Sequence, residues 1–219
     1  ALPIRKNKGQ YMTIDKSQIR NASTVIVIRD RHENPHILMG QRGAKAVFMP
    51  NKFVFPGGAM DAGDAHIPLA RPLPDMCHDR LAEDAAASIA HALAVAGIRE
   101  FWEETGLILG EKGTWDGTPP DDWATFAQRG YLPNAAPMQF VFRAPDLDDF
   151  DAACDELSHL QWIALSDARS FDMPFITEVV LAEVEARAKE LAPPESVPFF
   201  KNNDEESLFL RLRGRPMTD

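Results

Sequence analysis

Three glutamates stand within five positions in the stretch GIREFWEETGLIL, which covers residues 97–109. Glu100, Glu103 and Glu104 have the spacing i, i+3 and i+4, so a helix would carry all three on one face. Like charges at this spacing repel by roughly 0.2–0.5 kcal/mol per pair. Arg99 can reach Glu103 one turn along the helix, but one guanidinium cannot neutralise three carboxylates. The face therefore either lies in solvent or binds a cation.

A divalent cation would remove this repulsion. Mg²⁺ is a hard ion that prefers carboxylate oxygens and keeps several waters. Held at such a face, it would raise the affinity for a diphosphate, polarise the diphosphate oxygens and acidify a bound water. The alternative is an ordinary acidic face in solvent. The glycines of FPGG before the helix and Gly106 after it favour the metal site.

The elements that would position these glutamates alternate between strands and helices. β-branched and apolar runs predict strands at 23–30, 35–42, 52–58, 138–144, 160–168 and 206–214, of which the first two form a hairpin. Apolar spacing predicts helices at 80–105, in DWATFAQRG, and at 174–191, where Pro174 takes the first helical position. Loops are predicted at 59–79 and 113–122. Since no strict βαβ repeat occurs, we predict an α/β protein with a mixed β-sheet between helices.

Composition and charge narrow the class of protein. The 219 residues suit a single domain over 1–219, and 45% hydrophobic with 26% charged residues is typical of a soluble globule. Neither a membrane span nor a secretory signal is predicted, and two cysteines indicate a reducing compartment, the cytoplasm. The net charge of −10 argues against nucleic-acid binding but allows a phosphorylated small molecule held through a metal.

Two stretches together resemble a known family signature. REFWEETGL at 99–107 and FPGGAMDAGD at 55–64 are similar to the two parts of the Nudix box, the signature of the Nudix hydrolases. In this comparison Gly58 is the box glycine, and Asp64 stands where the family usually has glutamate. The resemblance implies a Nudix-type α/β/α sandwich and a metal-dependent hydrolase of diphosphate bonds.

A long insertion interrupts the box. Arg99 follows Asp64 by 35 positions, a far longer spacing than the common box has. The extra segment, 65–93, is expected to form a loop and helix over the active-site mouth or the sheet edge. With FMPNKFVFPGG before it, this insertion resembles the subgroup that contains the mammalian peroxisomal coenzyme A diphosphatase. The helix 94–105 would carry the metal site, and a helix and strand over 174–214 would complete the domain.

The resemblance also implies roles for residues of the box. Glu103 and Glu104 would be the main ligands of Mg²⁺ or Mn²⁺, Glu100 a third ligand, and the carbonyl of Gly57 a further one. Arg99 would pair with a glutamate and orient it. Glu103 and Arg99 therefore belong to the expected catalytic set.

Nudix enzymes often use a further acid from a distant loop, as general base or metal ligand. The segment DELSHLQWIAL at 155–165 resembles the one that supplies it, with Glu156 six positions before Trp162. Glu156 is therefore the expected base, with Asp155 as the neighbouring competitor and His159 as a weaker one. An ordinary solvated loop acid is the alternative.

Substrate contacts are expected from Arg42, Arg143 and Gly58. Arginine suits phosphate oxygens, although surface ion pairs are the alternative for both arginines. The expected substrate is a nucleoside diphosphate linked to another moiety, with coenzyme A or acyl-coenzyme A preferred. ADP-ribose, NADH and other dinucleotides are alternative substrates, and a non-catalytic nucleotide-binding regulator is an alternative of another class. The resemblance leaves a homodimer open.

Overall fold

A computed structural model of the chain describes residues 4–6, 10–12, 21–44, 46, 49–83, 85–86, 88–138, 157–189, 194–202 and 207–214. The strands are β1 (Ile4–Lys6), β2 (Gln10–Met12), β3 (Ala22–Thr24), β4 (Ile28–Arg29), β5 (His36–Gln41), β6 (Phe53–Val54), β7 (Gly57–Ala59), β8 (Gly110–Lys112), β9 (Tyr131–Pro133), β10 (Ser158–Ala164), β11 (Val197–Asn202) and β12 (Ser207–Leu212). The α-helices are α1 (Asp75–Ala82), α2 (Ser88–Thr105), α3 (Ala124–Gln128) and α4 (Phe175–Arg187). Short 3₁₀ turns cover Ala62–His66, Asp121–Trp123 and Ala168–Ser170.

Strand β5 is the centre of the main sheet. It pairs antiparallel with β10 on one side and with β4 and β6 on the other. The pairing of Ile28 with Ile37 confirms the predicted hairpin. Strand β3 leaves this sheet and pairs antiparallel with β7, which brings the glycines of FPGG beside Thr24. The described strand pairs are antiparallel, and a single parallel bridge joins Arg71 to Asn134.

The two faces of β5 bury different side chains. Ile37 and Met39 belong to a core cluster with Leu181 of α4, whereas Leu38 packs in a cluster with Phe101 of α2. Because successive side chains of a strand point to opposite faces, the sheet lies between α2 and α4. This layering confirms the α/β class and the predicted sandwich, and it places the helix that carries the three glutamates directly against the sheet.

The insertion departs from the predicted element bounds. The predicted helix 80–105 is two helices, since α1 ends at Ala82 and the extended backbone of Glu83 (ψ 122°) breaks it before α2 begins. The predicted loop 59–79 contains a 3₁₀ turn at Ala62–His66 and most of α1, which begins after Pro74. Its apolar side chains Cys77 and Leu81 pack in one cluster with α2. The insertion is therefore folded against the helix it precedes.

Other bounds differ by smaller amounts. The predicted strand 52–58 is interrupted at Pro56, so β6 and β7 belong to different sheets. Pro174 was predicted to take the first helical position of α4. With ψ at 147° it is instead the N-cap residue, directly before the helix. The predicted strand 138–144 lies, beyond Met138, outside the described residues. Among the residues that are described, no helix combines the length and hydropathy needed to cross a bilayer.

Candidate functional site

The three glutamates occupy the last turns of α2. Glu100 and Glu104 are half-buried, while Glu103 is 40% exposed. The helix ends where Gly106, at φ 68°, donates its backbone N–H to the carbonyl of Trp102 at 2.8 Å. Gly106 is therefore the C-terminal cap of α2. The acids are thus brought together at the end of a buried helix, as their spacing predicts.

The Gly57–Gly58 pair of β7 lies against these acids. The Gly57 N–H donates to Glu104 Oε2 at 2.8 Å. A Cβ on Gly57 would overlap the carbonyl oxygen of Ser23, and a Cβ on Gly58 would overlap the carboxylate of Glu100. Only glycine permits this close approach of strand and helix. The structure thus gives Gly57 a hydrogen bond to a carboxylate, which was not part of the predicted ligand role.

A buried ion pair fixes the direction of Arg99. Its Nε and Nη2 each donate to one oxygen of Asp64 at 3.1 Å, and both residues are almost inaccessible, at 5% and 2% exposure. Nη2 also donates to the carbonyl of Ala59 at 2.9 Å. The remaining donor, Nη1, reaches Glu100 at 2.7 Å and Glu103 at 3.3 Å. Arg99 therefore orients two glutamates, one more than the sequence predicts.

The guanidinium of Arg99 remains charged in this environment. Burial opposes its charge, but the hydrogen bond and charge of Asp64, with the charges of Glu100 and Glu103, raise the pKa above the usual arginine value. A permanent cation thus lies between one structural acid and two acids of the helix face. It compensates part of the negative charge of these acids and leaves a net negative charge.

The net negative charge is one of the causes that raise the pKa values of the three glutamates. Burial raises the pKa of Glu104 from 4.5 to about 8, and the charges of Glu100 and Glu103 add to the rise, while the Gly57 N–H and Arg42 oppose it. Burial likewise raises the pKa of Glu100 against the opposing effect of Arg99. Burial and the charge of Glu100 raise the pKa of Glu103. The site would therefore be stabilised by an added cation.

The donor set fits Mg²⁺ or Mn²⁺ in chemistry. Half-buried carboxylates with raised pKa values and too little compensating charge are suitable ligands for a hard cation. Within the part of the chain that is described, no three acidic, histidine or cysteine side chains already converge on one point. Glu104 turns toward Gly57, whereas Glu100 and Glu103 turn toward Arg99. Metal binding would therefore require rotation of side chains.

The other predicted residues have mixed outcomes. Arg42 lines the same cavity as Glu104 and Gly57. His159 is exposed, at φ 51°, in a bulge of β10, and does not line that cavity. The predicted residues Glu156, Asp155 and Arg143 lie outside the described residues, so their roles stay predictions.

Sequence reasoning missed two features of the site. Asp64 was placed in the box by resemblance, but its burial and two-point pairing with Arg99 were not foreseen. The cavity beside Glu104, of about 510 Å³, was not foreseen either, since α4 and strands β3 and β4 contribute its walls. The apolar stripe of Ile176, Val180 and Val184 is the signal that could have indicated a wall of α4.

Comparisons with known proteins agree with the fold and with the resemblance to Nudix hydrolases. No family model matches the chain. A curated Caenorhabditis elegans protein named "Putative nudix hydrolase 7" is 33% identical over 79 residues, which are 36% of this chain and 19% of that protein. The chain thus spans about a fifth of the length of the curated relative that it matches. This local match supports the Nudix hydrolase family.

Solved structures give the likeness in three dimensions. A NUDIX hydrolase from Alicyclobacillus acidocaldarius has a TM-score of 0.54 and 24% identity, covering 79% of this chain and 94% of its own. A mutT/nudix family protein from Listeria innocua has a TM-score of 0.35 and 17% identity, covering 77% and 93%. The Alicyclobacillus likeness shows that the chain has the Nudix fold.

Proposed function

We propose that the chain is a Nudix-type hydrolase that cleaves the diphosphate bond of a nucleoside diphosphate linked to another moiety. The observation that carries this proposal is the acid cluster at the end of α2. Glu104 accepts the Gly57 N–H there, Glu100 lies against Gly58, and Glu100 and Glu103 both accept hydrogen bonds from Arg99. The Nudix fold and the local match to a Nudix hydrolase support the same reaction class.

In this proposal Glu103 and Glu104 are the main metal ligands, with Glu100 as a third and Gly57 beside them. Mg²⁺ or Mn²⁺ would neutralise the diphosphate and polarise its oxygens. Arg99 orients Glu100 and Glu103 through Nη1, and Asp64 holds Arg99 from the opposite side. Gly58 leaves room for the Glu100 carboxylate. Glu156, as general base, is proposed from the sequence alone.

The second set of roles concerns the substrate. Arg42 lies in the cavity of Glu104, where a guanidinium can bind phosphate oxygens; Arg143 is proposed for the same role from its sequence. The preferred substrate is coenzyme A or acyl-coenzyme A, a proposal that rests on the long insertion between Asp64 and Arg99. A cytoplasmic location is proposed from the two cysteines, which indicate a reducing compartment, and a small-molecule partner is proposed from the resemblance.

A hydrolysis panel tests the proposed function. Coenzyme A, acetyl-coenzyme A, ADP-ribose, NADH and diadenosine polyphosphates are incubated with Mg²⁺ or Mn²⁺, and products are separated by chromatography. We expect turnover that Glu103→Gln lowers by at least about a hundredfold, since a ligand of the charge-stabilising cation is lost. Glu178→Gln, on the exposed face of α4, is the matched control and should keep wild-type turnover.

Each result of the panel has a defined meaning. Turnover of coenzyme A would support both the reaction and the subgroup. Turnover of ADP-ribose or NADH instead would keep the reaction and exclude the preferred substrate. If no compound is hydrolysed while nucleotides still bind, the chain is a non-catalytic regulator. Wild-type turnover by Glu103→Gln at saturating Mg²⁺ would refute the assignment of the metal site.

A further inference from the structure

Two residues between β5 and β6 have backbone conformations that side chains rarely adopt. Met49 has φ at 49° and Asn51 has φ at 62°, with Pro50 between them. Glycine adopts this left-handed region freely and asparagine tolerates it, but it is strained for a long side chain such as that of methionine. The two residues therefore need separate explanations.

A β-turn accounts for the conformation of Asn51. The Lys52 N–H donates to the carbonyl of Met49 at 3.4 Å, so these two residues are the ends of a four-residue turn with Pro50 and Asn51 at its centre. Proline at the second position and a positive φ at the third are features of a type II turn, and asparagine suits that third position. Met49 is at the first position, which does not require a positive φ. The turn therefore leaves the strained backbone of Met49 unexplained.

Hydrogen bonds to the end of β5 hold this turn in place. The Arg42 N–H donates to the carbonyl of Lys52 at 2.9 Å, and the Asn51 N–H donates to the carbonyl of Arg42 at 3.1 Å. The side-chain amide of Gln41 donates to the carbonyl of Asn51 at 2.9 Å. Strained conformations persist where the surrounding structure enforces them, and they cluster at functional sites. These contacts fix the turn directly beside Arg42, for which a phosphate contact is proposed.

Met49 is also part of the cavity wall beside the acid cluster. It lines that cavity together with Arg42, Gly57 and Glu104, and it is only partly buried. Asn51, two positions further on, is exposed and does not line the cavity. The methionine side chain is flexible and polarisable, so it adapts to apolar and aromatic surfaces. Glycine at position 49 would relieve the strain, but it would offer no such side chain to a ligand.

We propose that Met49 is a substrate-binding residue, whose side chain packs against a moiety attached to the diphosphate, next to the phosphate that Arg42 contacts. The inference rests on the proposed function, since Arg42 and Glu104 set the position of the diphosphate. The strained backbone directs an apolar side chain into the cavity at this point. Such a contact is non-directional and is made equally with the bound substrate and with the transition state, so its loss raises KM and leaves kcat unchanged.

Three variants separate the side chain from the backbone. Each is added to Glu103→Gln, which prevents turnover, and calorimetry with Mg²⁺ measures the binding of coenzyme A and of ADP-ribose. Met49→Gly should raise the Kd of the tighter-binding compound at least about tenfold, because an apolar contact is lost. Met49→Leu keeps an apolar side chain of similar volume and should stay within about threefold of the parent. Asn51→Gly makes the matched change at the other residue with positive φ, away from the cavity, and should leave the Kd unchanged.

Kinetics and stability add two readouts that a purely structural role would not reproduce. In the otherwise wild-type chain, Met49→Gly should raise KM about tenfold for the compound that is hydrolysed and leave kcat within about twofold. It should not lower the Tm, because relief of the strained backbone opposes the added freedom of the unfolded chain.

The outcomes separate this inference from the proposed function. An unchanged Kd in Met49→Gly would overturn the inference, whatever wild type hydrolyses, and a lower Tm with it would show that Met49 supports the fold instead. An equal loss of affinity in Asn51→Gly would also overturn it, because the turn and not the side chain would then matter. If Met49→Gly alone weakens binding but wild type hydrolyses neither compound, the binding role stands and the proposed hydrolase function fails. If wild type neither binds nor hydrolyses either compound, both proposals fail.

Discussion

Arg99 is the side chain on which the arrangement of the acids depends. Its five donors are divided between Asp64, the carbonyl of Ala59, and the carboxylates of Glu100 and Glu103. Lysine, as a single ammonium on a flexible stem, could not reproduce these directions. Asp64 is buried and binds Arg99, which donates to Glu100 and Glu103, so Asp64 can position these two acids through Arg99. It is a positioning residue, and its substitution should affect more than stability.

Asp64→Asn tests that role. The substitution keeps the shape of the side chain but removes the charge facing buried Arg99, and loss of one partner of a buried pair costs about 3 kcal/mol or more. We expect a lower free energy of unfolding in urea and, at temperatures where the protein stays folded, a higher Mg²⁺ concentration for half-maximal turnover. The second effect would follow from Arg99 holding Glu100 and Glu103 less firmly.

Asp61→Asn is the control for this substitution. Asp61 also lies near Arg99, at 3.4 Å, but its side chain is 67% exposed, so its removal should cost less than about 1 kcal/mol. A purely structural role of Asp64 would lower stability and leave the Mg²⁺ requirement unchanged. Equal stability of the two variants would contradict the buried pair itself.

The residue scale also shows what the sequence could predict. The shared face of Glu100, Glu103 and Glu104 follows from helical spacing alone, and the structure has it. The hydrogen bond from Gly57 to Glu104 joins residues 47 positions apart, so it depends on how β7 packs against α2. The raised pKa of Glu104 depends on the same packing, since burial is its main cause. Contacts between distant elements cannot be predicted from local sequence patterns.

At the scale of elements, the insertion and the C-terminal hairpin form one joined unit. Arg80 of α1 is buried, and it donates to the carbonyl of Pro194 before β11 and to that of Arg213 after β12. The N–H of Gly214 donates to Glu83 at 3.3 Å, just after α1. Both ends of the β11–β12 hairpin are therefore held by the helix that interrupts the box.

Arg80→Met should release this hairpin. Methionine fills much of the space but donates no hydrogen bond, so two carbonyls lose a charged donor worth roughly 1.5–3 kcal/mol each at most. We expect the amides of β11 and β12 to exchange hydrogen faster, by about tenfold, while those of α2 keep their protection. Hydrogen exchange read by mass spectrometry measures both in one experiment.

Arg71→Met is the matched control for the hairpin. Arg71 pairs with Glu111 on the surface, with its side chain 63% exposed, so its loss should change stability by less than about 1 kcal/mol. Exchange in β11 and β12 should then equal that of wild type. Uniform loss of protection in Arg80→Met, in α2 as much as in the hairpin, would mean that Arg80 supports the whole fold and not this attachment.

Elements with a strong local pattern were predicted well, and the exceptions have physical reasons. The hairpin of β4 and β5 follows from two apolar runs joined by a polar cluster, and α4 follows from a long run of helix-forming residues after Pro174. Strand β11 carries Pro198, which removes a backbone donor and lowers the expectation of a strand; it forms because β12 pairs with it. Strands β8 and β9 have three residues each, too few for a periodic signal, and among the described strands each pairs with the other alone.

At the scale of the whole molecule, protonation and metal binding at the acid cluster change the stability of the folded chain. Glu104 has a pKa of about 8 in the folded chain against an ordinary value of 4.5. Below pH 4.5 the Glu104 carboxyl is protonated in both the folded and the unfolded chain, so it does not change the free energy of unfolding. Between pH 4.5 and about 8 the unfolded chain has released the proton and the folded chain still holds it, so the free energy of unfolding falls as pH rises. Above about pH 8 the difference is constant.

Glu104→Gln isolates this contribution, because glutamine resembles the protonated acid. We expect wild type without metal to unfold at nearly the same temperature as the variant near pH 4.5 and progressively below it up to pH 8. The deficit at pH 8 should be on the order of a few kcal/mol. Calorimetric scans in EDTA at steps of pH, with Glu178→Gln as the exposed control on α4, measure the difference.

Mg²⁺ should reverse the deficit. A ligand that binds only the folded state adds about 2.7 kcal/mol at a hundred times its Kd, and it binds the deprotonated carboxylates in competition with protons. The rise in Tm on adding Mg²⁺ should therefore be larger at pH 8 than at pH 6 in wild type and much smaller at both in Glu104→Gln. An equal rise in wild type and Glu104→Gln would show that Mg²⁺ binds elsewhere, and the acid cluster would then be a destabilising feature without the function proposed for it.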